Sequence, residues 1–211
     1  ILFCIFILFS GLNIIFLPSI CDLKVAPISL SILLSLDNDI INSIWQLRPS
    51  APQFITIFNG QREIPRKQLA MGRDYAFSGQ VSHAVTWNPL IARVRDILTS
   101  IVGVYYNGCL LNFYEGPNEY IGPHSDAENG LVEGQPITVV SFGVPRRFRF
   151  TAKHNLNKES IVAQKEVIIE HGDIVVMQCD TQKTHKHEVR KPIKKGTPLE
   201  DYEGKRVSLT F

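Results

Sequence analysis

The pattern of hydrophobic and polar residues changes near residue 103: helical spacing precedes that point and short β-rich runs follow it. Apolar residues recur at helical spacing in LDNDIINSIWQL (36–47), where Asp37 or Asn38 is a candidate N-cap. WNPLIARVRDILTSIVG (87–103) is the stronger helix, because Asn88 can cap it and a proline suits its first turn. One apolar stripe runs along this second helix, formed by Leu90, Val94, Ile97, Leu98 and Ile101.

Six short runs after Gly103 have the composition of strands, and turn residues separate them. Many short strands after two helices predict an α+β fold that is mainly β. We expect an antiparallel sandwich or jelly roll with the N-terminal helices packed on one side. The runs are VYYNGCLLNFY (104–114), PITVVSFG (136–143), RRFRFTA (146–152), VAQKEVIIE (162–170), DIVVMQC (173–179) and RVSLTF (206–211).

The N-terminal run ILFCIFILFSGLNIIFLPSI carries no charge before Asp22 and is about long enough to span a bilayer. It lacks a basic leading region and a clear small-residue cleavage site. Three interpretations stay open: an incidental or partial sequence, a membrane or targeting segment, and a buried element. We therefore divide the chain into a hydrophobic segment of uncertain status (1–35) and one domain (36–211).

Composition adds little about partners. The chain has 211 residues, 45% of them hydrophobic and 20% charged, and a formal net charge of +2, so only local charge can identify a partner. Its four cysteines form no CxxC pair and are too scattered for a zinc ribbon or a disulfide framework. This cysteine usage favours a reducing, intracellular setting.

The stretch NEYIGPHSDAENG (118–130) carries the first candidate chemistry. Its His124 and Asp126 flank one serine on a short turn, so both side chains can point at one place. A third ligand from a distant strand would complete the two-histidine, one-carboxylate arrangement of non-haem Fe(II) oxygenases. Spacing does not choose that ligand among His171, His185 and His187. Taken alone the pair is weak evidence, since His124 could simply cap a turn and a zinc hydrolase could use the same residues.

Nine short motifs in order give the chain a family resemblance. It resembles the AlkB family of Fe(II)- and 2-oxoglutarate-dependent nucleic-acid demethylases, and looks closest to the branch that repairs alkylated DNA. The resemblance covers roughly 36–211 and implies a double-stranded β-helix (jelly roll). The motifs are QREIPRKQ (61–68), YAFSG (75–79), LNFYEG (111–116), IGPHSDAE (121–128), PITVVSFG (136–143), RRFRF (146–150), HGDIVVM (171–177), TQKTHKHEV (181–189) and RVSLTF (206–211).

The resemblance implies a role for several residues around an iron. His124, Asp126 and His187 match the iron ligands, and His185 falls where that branch usually has an aromatic residue. The residues that match contacts to 2-oxoglutarate are Asn112, Tyr114, Arg206 and Ser208, the last in place of the family's usual asparagine. A second arginine of the signature would be residue 212, so we expect the natural chain to continue past Phe211.

Substrate contacts follow from the same resemblance. Phe58 matches an apolar residue that fills the gap left by a flipped base, although it could instead belong to the core. Tyr75 and Phe77 match aromatics that stack on the target base with His124, and Arg66 is one of several cations in the preceding loop. Glu128 matches an acidic residue that hydrogen-bonds the base edge; its alternative is a solvated loop glutamate.

The implied activity is oxidative demethylation of 1-methyladenine and 3-methylcytosine in DNA, with Fe(II), 2-oxoglutarate and O2 and with release of formaldehyde. The alternatives are RNA demethylation, another 2-oxoglutarate-dependent hydroxylation, and a non-catalytic nucleic-acid-binding relic. Basic runs at 146–149 and 190–195 could follow phosphates or be solvated charges. We expect an intracellular monomer, nuclear in a eukaryote, with membrane contact only if residues 1–20 are a genuine anchor.

Overall fold

Two β-sheets packed face to face organise the chain. The computed structural model describes residues 14–17, 24–26, 39–57, 60–77, 79–126, 131–132, 134–153, 164–191 and 204–211. In chain order the elements are β1 (Ile14–Leu17), β2 (Lys24–Ala26), α1 (Ile40–Trp45), β3 (Phe54–Ile57), β4 (Gly60–Glu63), β5 (Lys67–Met71), β6 (Tyr75–Phe77), β7 (Gln80–Ser82), α2 (Pro89–Val102), β8 (Cys109–Tyr114), β9 (Ile121–His124), β10 (Ile137–Gly143), β11 (Arg146–Ala152), β12 (Gln164–Ile169), β13 (Ile174–Met177), α3 (Cys179–Thr184), β14 (His185–Val189) and β15 (Arg206–Thr210).

The larger sheet has seven strands in the order β2-β1-β13-β10-β15-β8-β5, and the smaller has four in the order β9-β14-β11-β12. Except for β1 against β13, every pair in the two sheets is antiparallel. Two hairpins, β3-β4 and β6-β7, complete the described strands. Each of the six runs predicted as strands after Gly103 contains one. The expected jelly roll is confirmed.

Side-chain alternation explains why the central strands are hydrophobic on both faces. Along β13, Ile174 and Val176 join the core cluster beneath the helices, whereas Val175 and Met177 join the cluster between the sheets. The larger sheet is therefore covered on one face by α1 and α2 and on the other by the smaller sheet. This double burial accounts for the near-continuous apolar runs that the sequence shows.

Helix α2 begins and ends where its sequence predicts. The side chain of Asn88 accepts a hydrogen bond from the Leu90 N–H at 2.9 Å, Pro89 occupies the first turn, and Gly103 ends the helix at φ 77°. Its fully buried residues are Ile91, Val94 and Leu98. Ile91 lies beside the predicted stripe and was missed by it.

Helix α1 is shorter than predicted. It spans Ile40–Trp45, and its N-cap position is Asp39 rather than Asp37 or Asn38, which lie outside the described residues. The Asp39 side chain accepts from the Asn42 side chain instead of capping a backbone N–H. Packing of Ile40 and Ile44 into the core thus stabilises this short helix in place of a cap.

The hydrophobic N-terminal segment contributes two described strands. β1 pairs with β13 and β2 pairs with β1, at the edge of the larger sheet. Within the described part of the chain, no helix is long and apolar enough to cross a membrane. The remainder of 1–35 lies outside the described residues, and the domain division at residue 36 stays a prediction.

We predict that Asn88→Ala lowers the free energy of unfolding by about 1 kcal/mol, because the first turn of α2 loses its capping acceptor. Chemical denaturation measures the change. The control is Ser100→Ala on the exposed side of the same helix, where the serine hydroxyl donates a hydrogen bond to the Ile97 carbonyl of that helix. Equal unfolding free energies for the two variants would contradict the capping role.

Candidate metal centre

His124, Asp126 and His187 converge between the two sheets. His124 ends β9 and lies directly opposite His187 of β14 in the antiparallel register. Asp126 follows two residues after His124, and one ligand atom from each of the three residues lies within 4.8 Å of the others. Two imidazoles and one carboxylate at this separation fit a single divalent transition metal and match the facial arrangement predicted from the sequence.

The structure distinguishes the three histidines that sequence spacing left as candidates for the third metal ligand. The Nε2 atom of His187 lies 3.5 Å from the Asp126 carboxylate. His185 is also buried, but its Nδ1 hydrogen-bonds the Thr184 hydroxyl at 2.8 Å and it is not part of the cluster. His171 lies in the turn between β12 and β13, where its Nδ1 accepts the Gly143 N–H at 3.1 Å. Only His187 is placed to act with His124 and Asp126.

The tautomer of His124 is set by its backbone. Its Nδ1 lies 2.9 Å from the Gly122 carbonyl, which can only accept, so Nδ1 carries the proton. The lone pair of Nε2 then faces the Asp126 side, 3.7 Å from the carboxylate. A hydrogen bond behind the ring is the usual way proteins orient a metal-binding histidine.

Protonation in the cluster suits cation binding. Burial lowers the pKa of His187 to about 4, against an opposing effect of Asp126, so the ring is neutral near pH 7. Burial alone would raise the pKa of Asp126, but His187, His124 and the Gln182 amide together bring it below its ordinary value. The cluster thus presents a neutral His187 imidazole and an ionised Asp126 carboxylate, which are the forms that bind metal.

Strand register places the predicted cosubstrate residues side by side. In the larger sheet Ser208 pairs with Asn112, and Arg206 pairs with Tyr114. Asn112, Tyr114 and Ser208 line the same cavity as His124, Asp126 and His187. Residues two apart on neighbouring strands thus form one polar face beside the metal cluster, as the alternation of strand side chains requires.

Arg206 is a fully buried cation whose charge is not matched. It is 0% exposed; its Nε donates to the Ser141 hydroxyl at 3.2 Å, and its guanidinium lies 5.0 Å from the centre of the Tyr114 ring. Burial lowers its pKa to about 10, with Tyr114 opposing, so it stays charged near neutrality. Among the described residues, neither Nη1 nor Nη2 has a hydrogen-bond partner of normal geometry. An unpaired buried guanidinium fits an incoming carboxylate.

Arg66 is placed differently from a surface cation. It is 4% exposed, and its Nε donates to the Asn112 Oδ1 at 2.9 Å; the Gln68 amide donates to the same oxygen at 2.9 Å. These two hydrogen bonds orient the Asn112 side chain, so that its amide N–H groups can bind another partner. Arg66 lines the cavity, and its predicted substrate contact is untested.

The aromatic residues predicted to stack on a base stand at the cavity. Tyr75 and Phe77 are half-buried on β6, with ring centres 6.4 Å apart, and both line the cavity. A larger space of about 310 Å³ adjoins it and shares Tyr75 and Asp126 as walls. Phe58 and Glu128 lie outside the described residues, and their predicted roles stay predictions.

The arginines of β11 do not form a free phosphate track. Arg146 is 4% exposed and donates to the carbonyls of Gly116, Glu119 and Arg190. Arg147 pairs with Glu166, and Arg149 pairs with Glu188. All three guanidiniums are therefore engaged within the protein, Arg146 by carbonyls and the other two by carboxylates, which leaves the phosphate interpretation of this run without structural support.

Comparison with known proteins identifies the family. The sequence profile of the 2OG-Fe(II) oxygenase superfamily matches residues 49–211. The chain belongs to that superfamily. Its description names Fe(II) and 2-oxoglutarate, and an oxygenase uses O2, so the cofactor prediction is confirmed at the level of the family. The convergent ligand atoms and the unpaired Arg206 show that this chain's residues fit both groups.

The individual relatives that the chain resembles include ALKBH2 proteins and alkB homologs. It is 32% identical over 162 residues to human DNA oxidative demethylase ALKBH2, covering 74% of this chain and 59% of that protein. It is 27% identical to human alkB homolog 3, a protein described as an alpha-ketoglutarate-dependent dioxygenase, over 59% of this chain and 42% of that one. The chain thus spans at most about three fifths of these two proteins.

The fold likeness is independent of close sequence similarity. The solved structure of OsALKBH1 superimposes with a TM-score of 0.54 at 16% identity, covering 82% of this chain and 90% of that one. At this identity the match supports the jelly-roll fold and nothing finer.

One residue beside the metal cluster was missed by sequence reasoning. Gln182 hydrogen-bonds Asp126 at two points, although the two residues are 56 positions apart. It lies within the quoted motif TQKTHKHEV, but a single polar residue in a short helix gives no signal of its own. Only the fold reveals which carboxylate it meets.

The lowered pKa of His187 predicts how the stability of the metal-free protein depends on pH. The folded value of about 4 lies below the ordinary 6.5, so the unfolded chain binds the extra proton. The stability contribution is fully present above about pH 6.5 and is lost as the pH falls towards 4. His187 should contribute at most about 1.4 kcal/mol per pH unit to the slope of the unfolding free energy in that window.

Denaturant titrations between pH 7 and pH 4 measure this slope, and His187→Gln should reduce it. The exposed His83 supplies the control, because its side chain is 83% accessible. Equal slopes of unfolding free energy against pH for His83→Gln and His187→Gln would contradict a buried, neutral His187.

Proposed function

We propose that this protein oxidatively demethylates N-alkylated bases in DNA, with 1-methyladenine and 3-methylcytosine as substrates. One observation carries the proposal: the His124, Asp126 and His187 cluster shares a cavity with Asn112, Tyr114 and Ser208, beside the unpaired Arg206. The named activity of the ALKBH2 relatives supports the choice of DNA. In a eukaryote this activity would place the protein in the nucleus.

In this proposal, His124 and His187 would hold the iron through Nε2, and Asp126 would hold it through its carboxylate. Fe(II) with O2 and 2-oxoglutarate supplies the oxidising chemistry that hydroxylates the N-methyl carbon. The resulting hemiaminal of the base loses formaldehyde and leaves the repaired base. The protein's contribution is to hold the three ligands and to keep the surroundings largely free of water.

Arg206 anchors 2-oxoglutarate in the same proposal. One carboxylate of 2-oxoglutarate would neutralise the charge of the buried guanidinium. The two parallel N–H donors of an arginine also fit the two oxygens of one carboxylate. Asn112, held through its carbonyl oxygen by Arg66 and Gln68, presents its amide N–H groups beside this position. Tyr114 separates two guanidiniums, with Arg206 5.0 Å and Arg146 5.7 Å from its ring centre, and so keeps Arg206 in place.

The target base would enter between Tyr75 and Phe77 on one side and His124 on the other. A base must leave the helical stack before a buried iron can act on it, and aromatic surfaces offset part of that cost. In this proposal the base enters through the space of about 310 Å³ that is bounded by Tyr75 and Asp126. Arg66 at the cavity, Phe58 as the wedge and Glu128 at the base edge are the further substrate contacts that we propose.

The test is mass spectrometry of a 3-methylcytosine oligonucleotide incubated with the protein. We expect loss of the methyl group only when Fe(II) and 2-oxoglutarate are both present. His187→Ala should abolish the loss, whereas His185→Ala, a buried histidine on the same strand but outside the cluster, should retain it.

Matched DNA and RNA strands separate the substrate classes. Demethylation of RNA but not of DNA would overturn the DNA assignment and leave the metal chemistry standing. No turnover of either strand would contradict the demethylase proposal itself.

A second prediction contrasts two buried arginines on either side of Tyr114. Arg206→Met removes an unpaired charge, so we expect unchanged or higher stability of the metal-free protein together with loss of 2-oxoglutarate binding. Arg146→Met leaves three carbonyls without their donor, so it should lower the unfolding free energy by about 2 kcal/mol or more.

Thermal unfolding and calorimetric titration of the Mn(II)-loaded protein with 2-oxoglutarate give the two readouts. Retained 2-oxoglutarate affinity in Arg206→Met would show that the anchor lies elsewhere. A large loss of stability in Arg206→Met would show that the guanidinium is already paired within the protein.

A further inference from the structure

Both polar atoms of the Gln182 side-chain amide form hydrogen bonds with Asp126. Its Oε1 accepts the backbone N–H of Asp126 at 2.9 Å, and its Nε2 donates to the Asp126 Oδ2 at 3.2 Å. Gln182 itself is only 6% exposed. The two contacts restrain both the main chain and the carboxylate of the same residue.

Asp126 has no sheet ladder to restrain it. Strand β9 ends at His124, so the backbone at Asp126 lies beyond the paired residues. The two imidazole Nε2 atoms lie 3.7 Å and 3.5 Å from its carboxylate, which is farther than the Gln182 amide. Among the described side chains, Gln182 is thus the nearest hydrogen-bond donor to this carboxylate.

The short helix α3 that carries Gln182 leads directly into β14. Lys153 donates to the Gln182 carbonyl at 2.7 Å, and the Thr184 hydroxyl donates to the Asp180 carbonyl at 2.6 Å. His187 follows Gln182 by five residues on this connected segment. One piece of chain therefore supplies one side chain of the cluster and fixes the position of another.

An amide suits this position better than a charged group. A lysine or arginine would neutralise the carboxylate and compete with a cation, whereas an amide donates a hydrogen bond and leaves the negative charge in place. The amide oxygen, which is the acceptor atom of the side chain, satisfies the part-buried backbone N–H of Asp126.

We propose that Gln182 is a positioning residue that preorganises Asp126 for metal binding. The inference rests on the metal centre proposed above and assigns to this chain an outer contact that sets metal affinity. Loss of such an outer partner typically costs 10–100-fold in metal affinity, by the general behaviour of residues that orient metal ligands.

The experiment compares Gln182→Met with the unaltered protein by calorimetric titration of metal-free protein with Mn(II). Methionine keeps the length of the side chain and removes both polar atoms. We expect Mn(II) affinity to fall by about 10–100-fold. The ligand-field spectrum of the Co(II)-loaded protein should also change, because a carboxylate released from Gln182 alters the symmetry at the ion.

Lys153→Met provides the matched control. It removes a contact to the main chain of Gln182 and leaves the amide and Asp126 untouched. We expect unchanged Mn(II) affinity and an unchanged Co(II) spectrum in this control, even if its thermal stability falls. If Gln182→Met does not fold, Gln182→Asn replaces it, since the shorter amide cannot reach both atoms of Asp126.

The outcomes separate this inference from the proposed function. Mn(II) binding of equal affinity in the unaltered protein and the folded Gln182 variant would overturn the positioning role while the metal centre stands. Absence of Mn(II) binding in the unaltered protein would instead overturn the metal centre. A parallel fall of affinity in Lys153→Met would assign the effect to helix stability.

Discussion

A buried guanidinium with an unmatched charge is the constraint on which the site depends. Arg206 lies on a central strand of the larger sheet with no exposed surface; its Nε donates to the Ser141 hydroxyl, and no acidic side chain among the described residues pairs with it. Keeping such a group in an apolar interior costs free energy that folding alone does not return. The surrounding fold tolerates it because two well-packed core clusters flank the sheet. We interpret this free-energy cost as a consequence of having a preformed anion site.

Opposite charges are divided around the cavity. Asp126 is the negative member of the metal cluster, the buried Arg66 lines the same cavity, and the buried Arg206 lies against the ring of Tyr114 in the cavity wall. A small molecule that carries a carboxylate at one end and a metal-chelating group at the other fits that division, and 2-oxoglutarate has this form. The β8, β15 and β5 register provides the geometry, because it aligns Gln68, Asn112 and Ser208 across three neighbouring strands.

Sequence patterns predicted the features that depend on periodicity and short spacing. The cap of α2, six of the eight described strands after Gly103 and the His-x-Asp pair are local features, so their residues indicate them directly. The choice of His187 over His185 and His171 needed the family resemblance, and the structure places His187 beside the other two. His185 and His187 lie two residues apart on one strand and are both buried, so the alternation of side chains along a strand could not distinguish them.

Contacts between distant segments could not be predicted in this way. The Gln182 amide meets Asp126 only because α3 packs behind the turn after β9. Arg66 and Arg146 look like surface cations in the sequence, yet the first supports Asn112 and the second ties three loop carbonyls together. Such roles depend on which polar groups the fold leaves unsatisfied, which a linear pattern does not encode.

A crystal structure of the protein with Mn(II) and 2-oxoglutarate tests the central claim most directly. The account predicts the ion on His124, Asp126 and His187, and a carboxylate of 2-oxoglutarate bound by both terminal nitrogens of Arg206. A carboxylate held elsewhere, with Arg206 still lacking an anionic partner, would contradict the account.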